Sequence, residues 1–298
     1  MRLAALVLLA LFPIPCFGQA AASPEGAPAV RWEELTAPDS VAAIERSSGT
    51  AIVPLGIIEK HGPHLPLGTD LINVREMALR AAAEEYTIVF PAYFVGQIFE
   101  ARHQPGTLAY GERLMWDLLQ ETVDEIARNG IKKIILVNGH GGNNSFLPFF
   151  CQAQLARRRD YAVYLYQPMS DPEADPEIQR LRKTTMDMHG GEVETSTMLA
   201  HRPDLVDLSQ AGAQSGDDQA RLEGLADAYT AIWWYARFPN HYAGDARNAT
   251  RELGELVLAA QAKQLAAMIR AVKADTRVLE LQQRFFNEAE RPLKTPQQ

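Results

Sequence analysis

Apolar residues along the chain fall into two patterns: short unbroken runs, and longer stretches at helical spacing. Ala51-Ile52-Val53-Pro54-Leu55-Gly56, Tyr86-Thr87-Ile88-Val89-Phe90-Pro91, Lys133-Ile134-Ile135-Leu136-Val137-Asn138 and residues 161–166 are of the first kind. Runs of this length, bounded by Gly, Pro or Asn, predict buried strands. Leu114, Leu118, Val123 and Ile126 recur at helical spacing and Asn129-Gly130 supplies a stop, which predicts a helix over 113–128. A further helix is expected over 143–159. Strands separated by helices imply βαβ units and a parallel sheet covered on both faces. Beyond residue 173 the pattern turns helical, with 222–237 and 252–274 the longest candidates. No internal repeat or linker interrupts 31–298, so one α/β domain is expected there.

The first thirty residues have a different character. Arg2, the apolar residues 3–12 and the small-residue region Cys16-Phe17-Gly18-Gln19-Ala20 follow the n-, h- and c-region order of a secretory signal peptide, expected to span 1–20. Residues 21–30, rich in Ala, Pro, Gly and Ser, read as a flexible lead-in. A secreted or periplasmic location follows. Cys16 would leave with the signal, and Cys151 is then an apolar filler with no chemistry assigned.

Charge and cysteine content narrow the function. Lys and Arg number 29 against 37 Asp and Glu in 298 residues, a net charge of −8. Phosphate neutralisation needs clustered basic residues, so a nucleic-acid partner is not expected. No apolar run reaches the ~20 residues of a membrane span, so none remains after signal removal. Two cysteines exclude a disulfide-built scaffold and a cysteine-ligated zinc module.

In open parallel sheets, ligands bind beyond the C-terminal ends of the strands. The first strand leads into Glu59-Lys60-His61-Gly62-Pro63-His64-Leu65-Pro66-Leu67-Gly68-Thr69-Asp70. Glu59 and His61, two apart in an extended segment, face the same side. Asp70 follows a Pro- and Gly-rich bend that can return it to them, and its two oxygens suit it to bridge two ions. The third strand ends in Asn138-Gly139-His140-Gly141-Gly142-Asn143-Asn144, where Asn143 or Asn144 can cap the next helix. A third cluster, Asp187-Met188-His189-Gly190-Gly191-Glu192-Val193-Glu194-Thr195-Ser196, sets a histidine and two glutamates at a helix start. Each segment alone is ordinary, but four of the seven histidines fall within these three. His103, His201 and His241 lie outside and read as structural. Histidine and carboxylate ligands without cysteine suit Zn²⁺, Mn²⁺ or Fe²⁺. A bridging Asp suits two ions ~3.5–4 Å apart, the arrangement of hydrolytic metal sites.

With these segments the chain resembles the creatininase family of metal-dependent amidohydrolases. The first segment is similar to the family's E-x-H-G-x-H-L-P-L-x-T-D signature, and the likeness continues through Gln104-Pro105-Gly106-Thr107, Asn138 to Asn143 and His189 to Ser196. The resemblance implies a three-layer αβα sandwich with a mostly parallel central sheet, one or two divalent ions, and a homo-oligomer. It makes Glu59, His61, Asp70 and His140 metal ligands, with Asp70 the bridge. It gives His189 the proton for the leaving nitrogen, and makes Glu194 a further ligand or a partner of the attacking water, with Glu192 second for that place. Two positions depart from relatives that cleave creatinine. Gly142 stands where they carry a glutamate, and Thr185-Met186-Asp187 stands where they carry a Trp-Asp pair before the histidine. Leu108-Ala109-Tyr110 also follows the P-G-T segment, where relatives often carry a serine. The expected activity is therefore hydrolysis of a C–N bond in a small amide, cyclic amide or formamide, with creatinine disfavoured. The alternative is an extracytoplasmic small-molecule binding protein that keeps the fold and metal without turnover. No Gly-x-Ser-x-Gly elbow supports a serine hydrolase. Trp233-Trp234-Tyr235 belongs either to an interface or to the core.

Overall fold

The computed structural model describes residues 29–168, 170–225 and 228–296. The expected signal segment 1–20, and all but two residues of the lead-in, lie outside these. In chain order the elements are α1 (Ala37–Arg46), β1 (Thr50–Leu55), α2 (Thr69–Glu84), β2 (Ile88–Val89), α3 (Glu112–Arg128), β3 (Lys133–Asn138), α4 (Asn143–Ala153), β4 (Ala162–Tyr166), α5 (Asp175–Leu181), α6 (Glu192–His201), α7 (Trp233–Arg237), α8 (Arg251–Ala274) and α9 (Arg277–Ala289). The four strands form one parallel sheet in the order β2-β1-β3-β4.

Period-two alternation assigns each strand residue to one of two cores. Ala51, Val53 and Leu55 of β1 and Ile134 and Leu136 of β3 face a cluster with Met115, Leu119, Val123 and Ile126 of α3 and Leu147 and Phe150 of α4. Ile52 of β1 and Ile135 and Val137 of β3 face the opposite cluster, with Val74, Met77, Ala78 and Ala81 of α2 and Leu258, Leu265 and Ile269 of α8. Both faces are covered, which is why β1 and β3 read as unbroken apolar runs. The result is an αβα sandwich, as expected. Truncating a fully buried side chain such as Leu119 would cost about 2–5 kcal/mol.

Several elements differ from the sequence expectation. β2 has two residues, because Pro91 has no N–H to carry the ladder on; pairing with β1 resumes at Tyr93, whose N–H donates to Pro54 O, and Val89 N donates to Val30 O, so residues 30–31 cover the outer edge. The segment 222–237 is not one helix but a 3-10 turn (Glu223–Leu225) and the short α7. Trp234 and Ala236 are buried and Trp234 packs with Phe238 and Ala243, but Tyr229, Ile232 and Tyr235 are exposed, so the buried apolar positions support only the short α7. α4 begins after Gly142 with no side-chain cap. Asn143 instead accepts from Gln97 N (3.0 Å) and donates to Asn138 Oδ1 (3.3 Å). α2 starts at Thr69, directly after the Pro- and Gly-rich bend, and packs on the sheet through Val74, Met77, Ala78 and Ala81.

Candidate metal centre

The end of β1 is bent back on itself. A Cβ at Gly56 would overlap the backbone of Leu71, so only glycine lets the first turn of α2 lie on the strand end. Glu59 N donates to Leu67 O (2.9 Å) and Thr69 Oγ1 to Pro66 O (2.7 Å), which closes the loop between. Asp70 thereby returns to Glu59 and His61 from the first turn of a helix, where the helix dipole favours its negative charge. His140 follows β3 directly, its backbone N–H bound by Asn138 Oδ1 (3.2 Å). Glu194 enters from the first turn of α6. His189 is pinned by an antiparallel pairing with Ala243. Lys60, between the two first ligand candidates, turns away and donates to Gln214 Oε1 and Asn240 O, both at 2.6 Å. The Gln104 to Thr107 segment braces the surroundings, with Gln104 donating to Pro239 O (2.8 Å).

The donor atoms converge in three sets among the described residues: Glu59, His61 and His189 form one, and the other two share Asp70. His140 donates Nε2–H to the carbonyl of Gln97 (2.9 Å), which leaves the lone pair of its neutral ring on Nδ1. That Nδ1 lies 2.8 Å from Glu59 Oε1 and 2.8 Å from Asp70 Oδ2. Both oxygens are buried and neither makes a well-aligned hydrogen bond. His61 donates Nδ1–H to the Glu59 carbonyl (3.2 Å). Its Nε2 lies 2.9 Å from Asp70 Oδ1 and 4.0 Å from Glu194 Oε2. Of the two sets that share Asp70, one is thus Glu59, Asp70 and His140; the other is His61, Asp70 and Glu194. In each, imidazole and carboxylate lone pairs crowd together while the far ring nitrogen is fixed by a backbone carbonyl. That is the arrangement of a metal-binding histidine, and the residues fit divalent cations of the Zn²⁺, Mn²⁺ or Fe²⁺ kind.

The electrostatics show the same demand for positive charge. Burial opposes charging His61, but Asp70, Glu59 and Glu194 together outweigh it and lift the imidazole to about 10. His140 is lifted well above its ordinary value by Glu59 and Asp70, again against burial. Burial pushes Glu194 up to about 7, with repulsion from Asp70 and Asp187 adding to it and His61 and the Gly190 N–H opposing it. Its side chain is 35% exposed, yet protein surrounds it and that exposure is to a cavity.

The remaining candidates separate cleanly. Glu192 is not at the site: its carboxylate accepts from Lys183 N, Thr184 N and Thr184 Oγ1 at 2.7–2.9 Å and holds that loop to α6. His64 is buried away from the donor sets, with Nε2 2.8 Å from Thr195 Oγ1. His189 donates Nε2–H to Lys60 O (2.8 Å), stacks 4.2 Å from His61 and lies 3.8 Å from Glu59 Oε2. Burial, then the neighbouring His61, push it down to about 3.

One residue was missed. His241, expected to be merely structural, donates Nε2–H to Glu59 Oε2, while its Nδ1 accepts from Trp234 Nε1 (2.9 Å). No glycine-acid motif surrounds it; only the positive φ of 50° at a buried histidine marks it as constrained. His103 and His201 stay outside, bound to Pro239 O and Asn73 Oδ1.

The donor sets open into two cavities. One, of 1280 Å³, is walled by aromatic residues that include Phe146, Trp233, Trp234 and Tyr235. The other, of 1140 Å³, is walled by amides that include Asn73, Asn144, Gln167 and Gln261. Asp70, His140 and Glu194 border both. The Trp233-Trp234-Tyr235 run therefore lines the site.

The family model for creatininase (creatinine amidohydrolase) matches residues 33–269. The chain belongs to the creatininase family. Creatinine amidohydrolase of Pseudomonas putida is 27% identical over 251 residues, covering 80% of this chain and 95% of that one. The mycofactocin precursor peptide peptidase of Mycolicibacterium smegmatis is 32% identical over 159 residues, 51% of this chain and 58% of the peptidase. A crystal structure of creatinine amidohydrolase superposes with TM-score 0.71 at 26% identity, over 84% of this chain and 100% of that one. The Mn form of creatininase superposes with TM-score 0.68 at 24% identity, over 83% and 99%, and shows the shared fold. Membership in the creatininase family makes the chain a metal-dependent hydrolase of carbon–nitrogen bonds.

Proposed function

We propose that the chain hydrolyses the C–N bond of an amide, cyclic amide or formamide at a centre of two divalent ions. Glu59, Asp70 and His140 hold one ion and His61, Asp70 and Glu194 the other. The observation that carries this is the pair of buried oxygens, Glu59 Oε1 and Asp70 Oδ2, that crowd the His140 lone pair without a well-aligned hydrogen bond. Bound ions would polarise the substrate carbonyl and acidify water for attack.

The chain's own residues do the rest. Asp70 gives one oxygen to each set and fixes their separation. His241, itself oriented by Trp234, holds Glu59 from behind. His189 commits Nε2–H to Lys60 O, which leaves the lone pair of its ring on Nδ1. It can therefore take the proton of the attacking water and return it to the leaving nitrogen. Gly142 cannot carry the glutamate of creatinine-cleaving relatives, because a Cβ there would lie 2.6 Å from Gln97 O and overlap His140 Nε2. Creatinine is therefore not the proposed substrate. Nothing favours a binding protein without turnover, since Glu194 brings a carboxylate to the second set. The decisive assay is hydrolysis of small amides, lactams and formamides by metal-loaded protein. His189→Ala should retain its metal and lose turnover; equal turnover in this variant would overturn the role.

The proposal places the enzyme outside the cytoplasm, on the signal-type order of residues 1–20, and makes it a homo-oligomer on family resemblance. N-terminal sequencing of the mature protein and light scattering test these two points.

A further inference from the structure

The 1280 Å³ cavity is far larger than a small cyclic amide requires, since roughly 300–1,000 Å³ already holds a drug-sized ligand. Its wall is also chemically one-sided. Trp233, Trp234, Tyr235, Ile232, Met188 and Phe99 line it, and of these Met188 and Ile232 are about half exposed, at 48% and 52%. Apolar surface left open beside reactive groups is suited to a ligand's apolar arm. The rim carries a cation with no internal task. Among the described residues, the Arg102 guanidinium makes no hydrogen bond or ion pair, although most other arginines here are paired. Glu100 shares the rim and forms no ion pair with it among the described residues. Glu59, Asp70, His140, His189 and Glu194 open into this same space.

We propose that the substrate is an N-acylated amino acid with a large apolar side chain. The side chain lies on the Trp233–Tyr235 wall, the free carboxylate pairs with Arg102, and the N-acyl carbonyl reaches the donor sets. Water adds across the amide: its oxygen bonds to the acyl carbon, the C–N bond breaks, and a proton passes to nitrogen. A carboxylic acid and a free amino acid leave, with no other reactant. This rests on the amidohydrolase reading and specifies its substrate.

The test compares N-formyl and N-acetyl derivatives of phenylalanine, leucine and glycine, with the carboxamide of each, alongside formamide and a simple lactam. The phenylalanine compound should exceed the glycine one in kcat/KM by about tenfold or more. The free acid should exceed its carboxamide by about threefold or more, a preference that Arg102→Gln brings to near one. Independently of turnover, N-acetylphenylalanine should quench the tryptophan emission of metal-free protein saturably, and Trp233→Phe should diminish that signal. Turnover of formamide or the lactam with no preference for the apolar acids would overturn this inference and leave the amidohydrolase reading standing. No turnover of any compound by metal-loaded protein, with saturable quenching preserved, would overturn the amidohydrolase reading itself. Absence of both turnover and quenching would overturn the substrate assignment.

Discussion

Gly142 offers a sharp test of how the centre is held. The variant Gly142→Ala adds one carbon that would sit 2.6 Å from Gln97 O, about 0.8 Å inside ordinary contact at 3.4 Å, and would overlap His140 Nε2. These two atoms are partners in the 2.9 Å hydrogen bond that fixes the His140 ring. Neither can yield freely: Gln97 N is held by Asn143 Oδ1, and His140 N by Asn138 Oδ1. The added methyl must therefore break the bond or rotate the ring, and Nδ1 then leaves its place beside Glu59 and Asp70. Loss of such a supporting bond costs about 10–100-fold in metal affinity, or about 1.4–2.7 kcal/mol. The control lies next door, since a Cβ at Gly141 meets nothing within 4 Å. Competition with a fluorescent zinc chelator should show weakened binding in Gly142→Ala and near-normal binding in Gly141→Ala. Equal affinities in the two variants would refute the reasoning.

Asp70→Ala removes a donor from both sets and should abolish stable metal retention on dialysis, whereas His64→Ala, lost from a bond to Thr195, should keep its metal; elemental analysis of both decides. Glu194→Ala should lose metal with little change in the folding of the metal-free protein. Glu192→Ala should keep metal but lose about 2–4 kcal/mol in denaturant melts, because it strands the donors of residues 183 and 184. Burial lifts Asp187 from 3.8 to about 6 in the folded protein. The folded state therefore binds this proton more tightly, so the group's contribution is most favourable below pH ~4 and is lost as pH rises through 6. Asp187→Asn keeps an acceptor for Val193 N–H and removes the titration. Its melting temperature should gain on the parent's between pH 4.5 and 8, by an amount worth at most about 3 kcal/mol; a constant difference would contradict this.

Much of the scaffold was legible because burial on both faces writes itself as unbroken apolar runs. β1 and β3 stand within a residue of the expected positions, and α3 and α8 follow their apolar spacing. α2 was hidden because its first turn is the functional Thr69-Asp70, which reads as loop, although Val74, Met77, Ala78 and Ala81 carry a helical stripe. The 222–237 stretch misled for the opposite reason: only Trp234 and its neighbours pack into a small cluster, while Tyr229, Ile232 and Tyr235 stay exposed, so its apolar content supports one short helix. At the site, clustering beside strand ends and glycines drew attention to three segments, and the resemblance to the creatininase family picked Glu59, His61, Asp70, His140, His189 and Glu194 out of them; the structure brings these six together. The choice between Glu192 and Glu194 needed coordinates, because both open the same helix and only the hydrogen bonds to residues 183 and 184 tell them apart. His241 comes from 182 residues beyond Glu59, and no local pattern announces a contact set by the return of the chain.

The central claim is that two imidazole-carboxylate sets share Asp70 around two ions. Titrating metal-free protein with Zn²⁺ or Mn²⁺, with elemental analysis of the saturated product, tests it most directly. Two equivalents should bind per chain, and neither should be retained in Asp70→Ala. Saturated protein holding no stoichiometric metal, or Asp70→Ala holding as much as the parent, would contradict it.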